Sequence, residues 1–204
     1  MALARILASA PNILLLDEPF SALDSHLRFR LQQELLQIAK DFGKTVLLVS
    51  HDRDEAYRLA DSIAIMEAGQ IKAAGEKHTV FADPKTKAGA LLTGCKNISR
   101  AERIDEETVF AADWGIKLKV SDSQMPYVGI RMHHIGYGPG ENTVRCRVTG
   151  EMENPFSVTV LLQPADGKGT VPLAWELDKE KWQNLCGEEV EIHLPSEAIL
   201  LLEE

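Results

Sequence analysis

The sequence predicts an α/β fold with a parallel sheet in its first part and a small all-β domain in its second. Helix-like and strand-like segments alternate over the first part, which is typical of a parallel sheet with helices on its faces. After about residue 96 the segments become short, rich in Val, Ile and Leu, and separated by Gly, Pro and Asp, as in a small barrel or sandwich. We therefore predict domains at 1–75 and 96–204, joined by a connector over 76–95 with one or two helical turns.

Apolar runs and helix-ending residues delimit the α/β part. Ile13–Leu16 is a continuous apolar run, typical of a strand that is buried on both faces, and Thr45–Val49 is predicted as a second apolar strand. A helix is predicted between them, starting near Ser25 and followed by Gly43. Its apolar face carries Leu27, Leu31, Leu35, Ile38 and Phe42. The two strands would therefore be neighbours in a parallel sheet, since one helix of crossover length connects them.

Two further signals follow the second strand. Asp52 is expected to cap a short helix that ends at Leu59. Glu67-Ala68-Gly69 lies between two β-prone stretches and predicts a tight hairpin turn, with strands over Ser62–Met66 and Gln70–Ala73. These elements continue the α/β part to about residue 75.

The all-β part is predicted from short β-prone segments. The clearest are Thr143–Thr149, Ser157–Leu162, Thr170–Leu177, Glu189–Leu194 and Ala198–Leu202. Asp178–Leu185 is predicted as a helix. Lys168 lies between two glycines and would suit an anion, but a hairpin turn over Asp166–Gly169 is the better interpretation. His133 and His134 could be metal ligands, although neighbours on a strand point to opposite faces, which favours a solvated strand end.

Composition limits the classes of function. The 204 residues are 45% hydrophobic and carry a net charge of −9, which is ordinary for a globular protein, and no apolar stretch approaches the length of a membrane-spanning helix. Residues 96–204 hold 11 Lys/Arg and 19 Asp/Glu, which argues against nucleic acid or an anionic membrane as their partner. Met1–Ala8 is too short and too interrupted for a signal peptide, so we predict a helix of the fold that Pro11 stops.

Side chains outside the motifs are assigned structural roles. Three cysteines, an odd number without ligand-like spacing, favour free thiols in a reducing compartment. Trp114, Trp175 and Trp182 are expected in the core or at an interface, because the surrounding acidity disfavours base stacking.

The residues that suggest chemistry follow the two predicted parallel strands. LLLDEP at 14–19 places Asp17 and Glu18 at the end of the first strand, and Ser50-His51-Asp52 follows the second. Ligands of open α/β sheets bind at this edge. One acid could hold Mg²⁺ while the next positions a water that attacks a γ-phosphate, and His51 could contact a phosphate oxygen. Taken singly, each string could also be an ordinary strand end with solvated polar residues.

From Met1 to about Pro84 the sequence resembles the ATP-binding-cassette (ABC) ATPases. The resemblance rests on the strings above together with Ser21-Ala22-Leu23-Asp24, TVLLVSHDRDEAYRLADSIAIMEAGQI and VFADP. The resemblance implies a partial P-loop NTPase core that uses ATP and Mg²⁺. It implies that Asp17 is the Walker B acid acting on Mg²⁺, Glu18 the catalytic carboxylate and His51 the switch histidine of the H-loop. Ser21 and Asp24 would delimit the D-loop, which couples the nucleotide sites of a homodimer.

Other family motifs are missing from the 204 residues. There is no G-x-x-x-x-G-K-[ST] phosphate loop, no Gln loop and no LSGGQ signature. In the family the signature lies just upstream of the segment that resembles Met1–Ala8. We therefore expect a shortened or incompletely predicted gene product, or a natural product of an internal start. This chain alone is expected to be inactive, since a phosphate loop supplies the N–H groups and Lys that hold the phosphates.

The second part resembles the accessory domain of importer ATPases for molybdate, sulfate and maltose. The resemblance rests on Val128-Gly129-Ile130-Arg131 and on GEEVEIHLPSEAILLL at 187–202, although Met132-His133-His134 replaces the usual Pro-Glu-Asp. It implies an OB-like, TOBE-type barrel for dimer contacts and for binding an oxyanion or a regulator. Thr93-Gly94-Cys95-Lys96-Asn97-Ile98-Ser99 and a single small barrel are most similar to the molybdate and tungstate branch.

These resemblances lead to one expected function and two alternatives. The expected function is the ATP-hydrolysing subunit of a bacterial or archaeal importer for molybdate or a related oxyanion. It would be a homodimer bound to transmembrane permease subunits at the cytoplasmic face of the membrane. The first alternative is a catalytically silent module for dimerisation or oxyanion sensing. A chromosome-associated or repair ATPase is disfavoured, because such proteins surround the cassette with long coiled coils.

Overall fold

The computed structural model describes residues 11–166, 168–185 and 187–204. The predicted helix Met1–Ala8 lies outside the described residues, as do Gly167 and Cys186. The chain divides into two compact units. The first comprises Met1–Ile63 and Gly75–Lys77, and the second comprises Ala64–Ala74 and His78–Glu204. The predicted limits of the connector, 76 and 95, stay a prediction.

The first unit is built on a parallel pair of strands. Its elements are β1 (Ile13–Asp17), α1 (Ser25–Phe42), β2 (Thr45–Val49) and α2 (Arg53–Leu59). β1 and β2 run parallel, in register from Ile13 opposite Thr45 to Asp17 opposite Val49. This pairing is as predicted, but the sheet has two strands in the described part of the chain, and a wider parallel core is not seen there.

β1 is buried on one face only, contrary to the predicted burial on both faces, and the residues of β2 are half-buried or exposed. Leu14 is 1% exposed, whereas Ile13 and Leu15 are 56% and 67% exposed. Alternate residues of a strand point to opposite faces, so Leu14 marks the covered face. Leu47 and Val49 of β2 are likewise more than half exposed. The continuous apolar run therefore leaves one face of the pair open in the described residues.

Capping residues bound both helices, and the roles of Gly43 and Asp52 are as predicted, whereas the cap at Asp24 was not predicted. The Asp24 carboxylate accepts a hydrogen bond from the Leu27 N–H at 2.9 Å and starts α1. Gly43 ends α1 with a φ of 62° and donates its N–H to the Ala39 carbonyl, the left-handed C-terminal geometry that glycine adopts most readily. Asp52 caps α2 by accepting from the N–H groups of Asp54 and Glu55.

The predicted hairpin is present. β3 (Ser62–Glu67) pairs with β4 (Gln70–Glu76). Ala68 and Gly69, the two residues between them, have φ values of 48° and 78°. Two-residue hairpin loops of this kind need positive φ at both central positions, because their twist then matches that of the strands.

The second unit is strand-rich and mostly antiparallel. Two short helices, α3 (Lys77–Ala82, whose first residue belongs to the first unit) and α4 (Lys87–Leu92), precede ten strands and a last helix, α5 (Lys179–Leu185). The strands are β5 (Asn97–Arg103), β6 (Thr108–Ala111), β7 (Ile116–Lys119), β8 (Tyr127–Ile130), β9 (Gly136–Tyr137), β10 (Thr143–Glu153), β11 (Ser157–Pro164), β12 (Leu173–Asp178), β13 (Glu189–His193) and β14 (Leu200–Leu202).

These strands form two five-stranded sheets, with the orders β12-β11-β10-β13-β9 and β14-β8-β5-β6-β7. All strand pairs within them are antiparallel. The sequence predicted β10 to β14 and α5 at nearly these positions. It did not predict β5 to β8, which supply four strands of the second sheet.

One hydrophobic core joins the two sheets. Trp114, Trp175 and Trp182 all lie in it, as expected. The Asn97 amide bonds to both the N–H and the carbonyl of Ala174, at 2.7 and 2.8 Å, and so links β5 to β12. Cys95 and Cys146 are buried free thiols. None of the described helices has the length and apolar character needed to cross a membrane.

Candidate functional site at the ends of two parallel strands

The parallel register of β1 and β2 brings the two polar strand ends together. Asp17 is the last residue of β1 and lies opposite Val49. One residue further on, the Glu18 N–H donates to the Val49 carbonyl at 2.9 Å. The residues that follow each strand therefore start from adjacent backbone positions, as the sequence predicted.

Glu18 and His51 are in direct contact. The Nδ1 atom of His51 lies 2.6 Å from one carboxylate oxygen of Glu18 and 2.7 Å from the other. The hydrogen bond to Glu18, and then its negative charge, raise the pKa of His51 above the ordinary value. The imidazole is nevertheless 76% exposed, so it can reach a ligand in solvent. Protonated at Nδ1, it is a donor next to a carboxylate acceptor.

The backbone at Glu18 is held in an uncommon conformation. Its φ is 45°, in the left-handed region that costs a residue with a side chain roughly 1–2 kcal/mol. Ser21 stabilises the turn by donating both its N–H and its hydroxyl to the Glu18 carbonyl, at 3.2 and 3.0 Å. Strain of this kind concentrates at functional sites, where the surrounding structure maintains it. No local pattern around Glu18 predicts this conformation.

A buried hydrogen-bond network supports the strand end that carries His51. Glu55 on α2 is 3% exposed, and its carboxylate accepts from the Ser50 hydroxyl at 2.5 Å and from the Gln32 amide at 3.0 Å. The Ser50 hydroxyl in turn accepts from the Asp52 N–H. Arg28 of α1 donates a hydrogen bond to the Asp52 carboxylate at 3.4 Å. The two residues flanking His51 are thus tied to both helices.

This network was missed in the sequence, although a signal for Glu55 exists. Asp52 and Glu55 have the spacing of a capping box, in which the acid at the third helical position returns to the cap. In the structure the side chain of Glu55 instead bonds to Ser50 and Gln32, and Ser50 supplies the bond to the Asp52 N–H. The position of Gln32, 23 residues earlier on α1, follows only from the packing of the helices.

The remaining predicted site residues lie on the same exposed turn. Asp17 is exposed at the end of β1. The described residues contain no group of three or more His, Cys, Asp or Glu side chains arranged to hold a metal. One carboxylate still fits Mg²⁺ when phosphate and water supply the other ligands, as is usual for this ion. The side chain of Ser21 is bonded to the Glu18 carbonyl and that of Asp24 caps α1.

Two other candidates differ from their predicted settings. His133 and His134 lie on a 3-10 turn, Met132–His134, rather than on a strand end. On that turn their rings are 4.4 Å apart and edge to face, so they do not point to opposite faces, although both are exposed. Lys168 is exposed in the segment between β11 and β12, as expected for a turn.

Comparisons with known proteins identify related sequences among the ATP-binding proteins of importers. No family model matches it. It is 44% identical over 108 residues to "Fe(3+) ions import ATP-binding protein FbpC" of Haemophilus influenzae, covering 53% of this chain and 31% of that protein. It is 34% identical over 154 residues to "Sulfate/thiosulfate import ATP-binding protein CysA 2" of Chromobacterium violaceum, covering 72% of this chain and 42% of that protein. The chain thus spans less than half the length of these relatives.

A solved structure of the cytoplasmic molybdate-binding protein ModG covers 54% of this chain and 98% of its own, with 11% identity and a TM-score of 0.43. A similarity this low carries no argument about fold or ligand. Both sequence matches are to proteins named as import ATP-binding proteins, and the longer one covers 72% of the chain, more than the second unit alone contains. The chain is therefore a homologue of the ATP-binding subunits of ABC importers.

Proposed function

We propose that this chain contributes the metal-binding and water-activating side of the ATP site in an ABC importer ATPase. The observation that carries the proposal is the contact between Glu18 and His51 at the ends of two adjacent parallel strands. Ligands of α/β sheets bind at this edge, and the strained backbone at Glu18 supports a functional role.

Each polar residue at this edge has a proposed role. Glu18 orients and polarises the water that attacks the γ-phosphate, since its half-buried carboxylate can still accept a proton from that water. His51 donates a hydrogen bond to a phosphate oxygen and senses its presence. Asp17, the Walker B acid, holds Mg²⁺, which neutralises charge on the phosphates when bound. Glu55, Gln32 and Ser50 are not proposed to touch the nucleotide.

The partners follow from the same family. Ser21 and Asp24 delimit a D-loop that couples two copies in a homodimer. Ser21 stabilises the Glu18 turn directly, so a shift of this loop at a dimer interface would change the position of the carboxylate. The homodimer would act with transmembrane permease subunits at the cytoplasmic face of the membrane.

We also propose domain identities and a class of solute. Residues 1–75 would be part of a P-loop NTPase core and 96–204 an OB-like, TOBE-type accessory domain. The solute would be molybdate or a related oxyanion, for which the support is the string over 93–99. The relatives are named for import of Fe(3+) and of sulfate or thiosulfate, so the solute needs its own test.

An alternative is a catalytically silent module that dimerises or senses an oxyanion. The observation in its favour is the sequence itself, which lacks a phosphate loop within its 204 residues. Under this alternative the second unit carries the function, and the Glu18–His51 contact has only a structural role.

A hybrid protein can distinguish the two proposals. In it, the phosphate-loop and signature segments of the Haemophilus influenzae relative precede this chain. Glu18→Gln should lower phosphate release about 10²–10⁴-fold, the usual contribution of a positioned base, and leave ATP binding intact. His51→Ala should act in the same direction. Glu34→Gln and His26→Ala, exposed positions on α1, are the matched controls. Unchanged hydrolysis in both site variants would reject the assignment.

A further inference from the structure

The second unit contains a cavity of about 400 Å³ that the proposed ATPase role does not use. It lies between α4, β5 and the start of β8. Its walls include Lys87, Leu91, Lys96, Ile98, Arg100 and Tyr127. Cavities that bind small molecules have volumes of roughly 300–1,000 Å³, so this one is large enough for a metabolite.

The cavity is positively charged although the surrounding half of the chain is acidic. Arg100 is paired with Asp113, with its Nη2 3.1 Å from the carboxylate. Asp113 also accepts from the Arg100 backbone N–H at 2.9 Å, so its charge is compensated within the wall. Lys87 and Lys96 have no carboxylate partner among the residues that the structure describes. Two ammonium groups are thus left to bind an anion.

The same cavity has an apolar side. Leu91 is 52% exposed and Ile98 is half-buried. The Lys87 ammonium lies 4.5 Å from the centre of the Tyr127 ring, so positive charge and an aromatic face are presented together. An inorganic oxyanion would contact the ammonium groups but would leave Leu91 and Ile98 uncovered. An anion with an apolar part would cover both, and each Å² removed from water adds roughly 25 cal/mol.

We propose that this cavity binds a small organic anion, with an anionic group such as a phosphate monoester held by Lys87 and Lys96 and an apolar group against Leu91 and Ile98. The inference goes beyond the ATPase function and does not rest on it. A ligand at this place would contact α4 and β5 together, and so would stabilise the second unit by binding only its folded form.

The test is calorimetric titration of the 204-residue chain at low ionic strength with phenyl phosphate, inorganic phosphate and molybdate. Phenyl phosphate should bind most tightly. Lys87→Met and Lys96→Met should each weaken it about tenfold, as expected for loss of a charge-assisted hydrogen bond. Lys117→Met, an exposed position outside the cavity on β7, should have no effect.

The variant Leu91→Ser tests whether the apolar side of the cavity contributes to binding. It should weaken phenyl phosphate but not inorganic phosphate, and because Leu91 is already half exposed the variant should fold, which circular dichroism would check. No binding of phenyl phosphate would overturn the proposal, as would an equal effect of Lys117→Met. Molybdate binding as tightly as phenyl phosphate would make the cavity an inorganic oxyanion site and would overturn it too. None of these outcomes depends on ATP hydrolysis.

Discussion

His51 Nδ1 lies 2.6 Å from the Glu18 carboxylate, although 33 residues separate the two in the chain. Two independent features produce this contact. The parallel register places the ends of β1 and β2 side by side. The left-handed backbone at Glu18 then turns the chain at the point where the carboxylate has to meet the imidazole. A shift of one residue in the register would displace Glu18 relative to His51. The contact between them therefore depends on the exact pairing of the two strands.

The first prediction concerns the protonation of His51. Glu18 raises its pKa, so a histidine NMR titration of this chain should give His51 a pKa above the ordinary value of about 6.5. Glu18→Gln should lower it towards that value, because the hydrogen bond to an anion and the charge are both lost. Glu34→Gln is the control. An unchanged His51 pKa in the Glu18 variant would contradict the contact.

The raised pKa of His51 also makes a small part of the unfolding free energy depend on pH. A group whose pKa is raised in the folded state binds its proton more tightly there, so it stabilises the fold below its unfolded pKa. This contribution should be fully present below about pH 6 and lost as the pH rises through the folded pKa of His51. Denaturant titrations of the wild-type chain and of His51→Ala between pH 5 and 8 measure it. Their difference in unfolding free energy should shrink with rising pH.

The second prediction concerns the network behind the site. Glu55→Ala would leave the buried Gln32 amide and the half-buried Ser50 hydroxyl without their hydrogen-bond acceptor. Removing one member of such a buried group costs about 1–3 kcal/mol of unfolding free energy. The control is Glu34→Ala, which removes only an exposed ion pair with Arg30 and should cost less than about 1 kcal/mol. Equal losses in the two variants would show that the network does not stabilise the unit.

The order and the ends of the helices and strands in the first unit could be predicted, because the sequence patterns that determine them are local. Asp24, Gly43 and Asp52 cap helices through bonds to residues within four positions, so sequence spacing is sufficient. The meeting of Glu18 and His51 followed from one further rule, that a single crossover helix joins neighbouring parallel strands. The strained φ of Glu18 has no local signal, because Glu is not a residue that favours it.

The second unit was harder to predict because its contacts are distant in sequence. Asn97 bonds to Ala174, 77 residues away, and no pattern near either residue indicates that pairing. β5 and β7 are interrupted by charged and polar residues, and β6 and β8 are only four residues long. The charged cavity depends on the packing of α4 against β5, so its lysines looked like ordinary surface residues in the sequence.

The third prediction concerns ATP itself. The 204-residue chain, without a phosphate loop in its sequence, should not bind Mg-ATP with micromolar affinity and should not hydrolyse it, because the groups that hold the β- and γ-phosphates are missing. Calorimetric titration with Mg-ATP is the measurement, and the hybrid protein is its positive control. A stoichiometric micromolar isotherm for the chain alone would contradict the prediction.

The last prediction concerns the limits of the second unit. A fragment of residues 96–204 should fold as a soluble, strand-rich unit, since its core holds Trp114, Trp175 and Trp182. A fragment of residues 78–204 should nevertheless be more stable. It keeps the bonds of the Arg131 guanidinium to the carbonyls of Thr93 and Phe81, and it keeps Ala90 and Cys95 packed against Leu202.

The shorter fragment would lose these bonds and expose Leu202, at a cost of several kcal/mol if each lost bond to a charged group costs about 1.5–3 kcal/mol. Denaturant unfolding of the two fragments at one pH measures the difference. In the longer fragment Arg131→Met should remove much of the added stability, whereas Arg103→Met, an exposed position on β5, should not.

Sedimentation of the same two fragments tests the proposed dimer, because an exposed strand edge can be covered by a second copy. Equal stability of the two fragments would place the boundary at residue 96, and a monomer at every concentration would remove the dimerisation role.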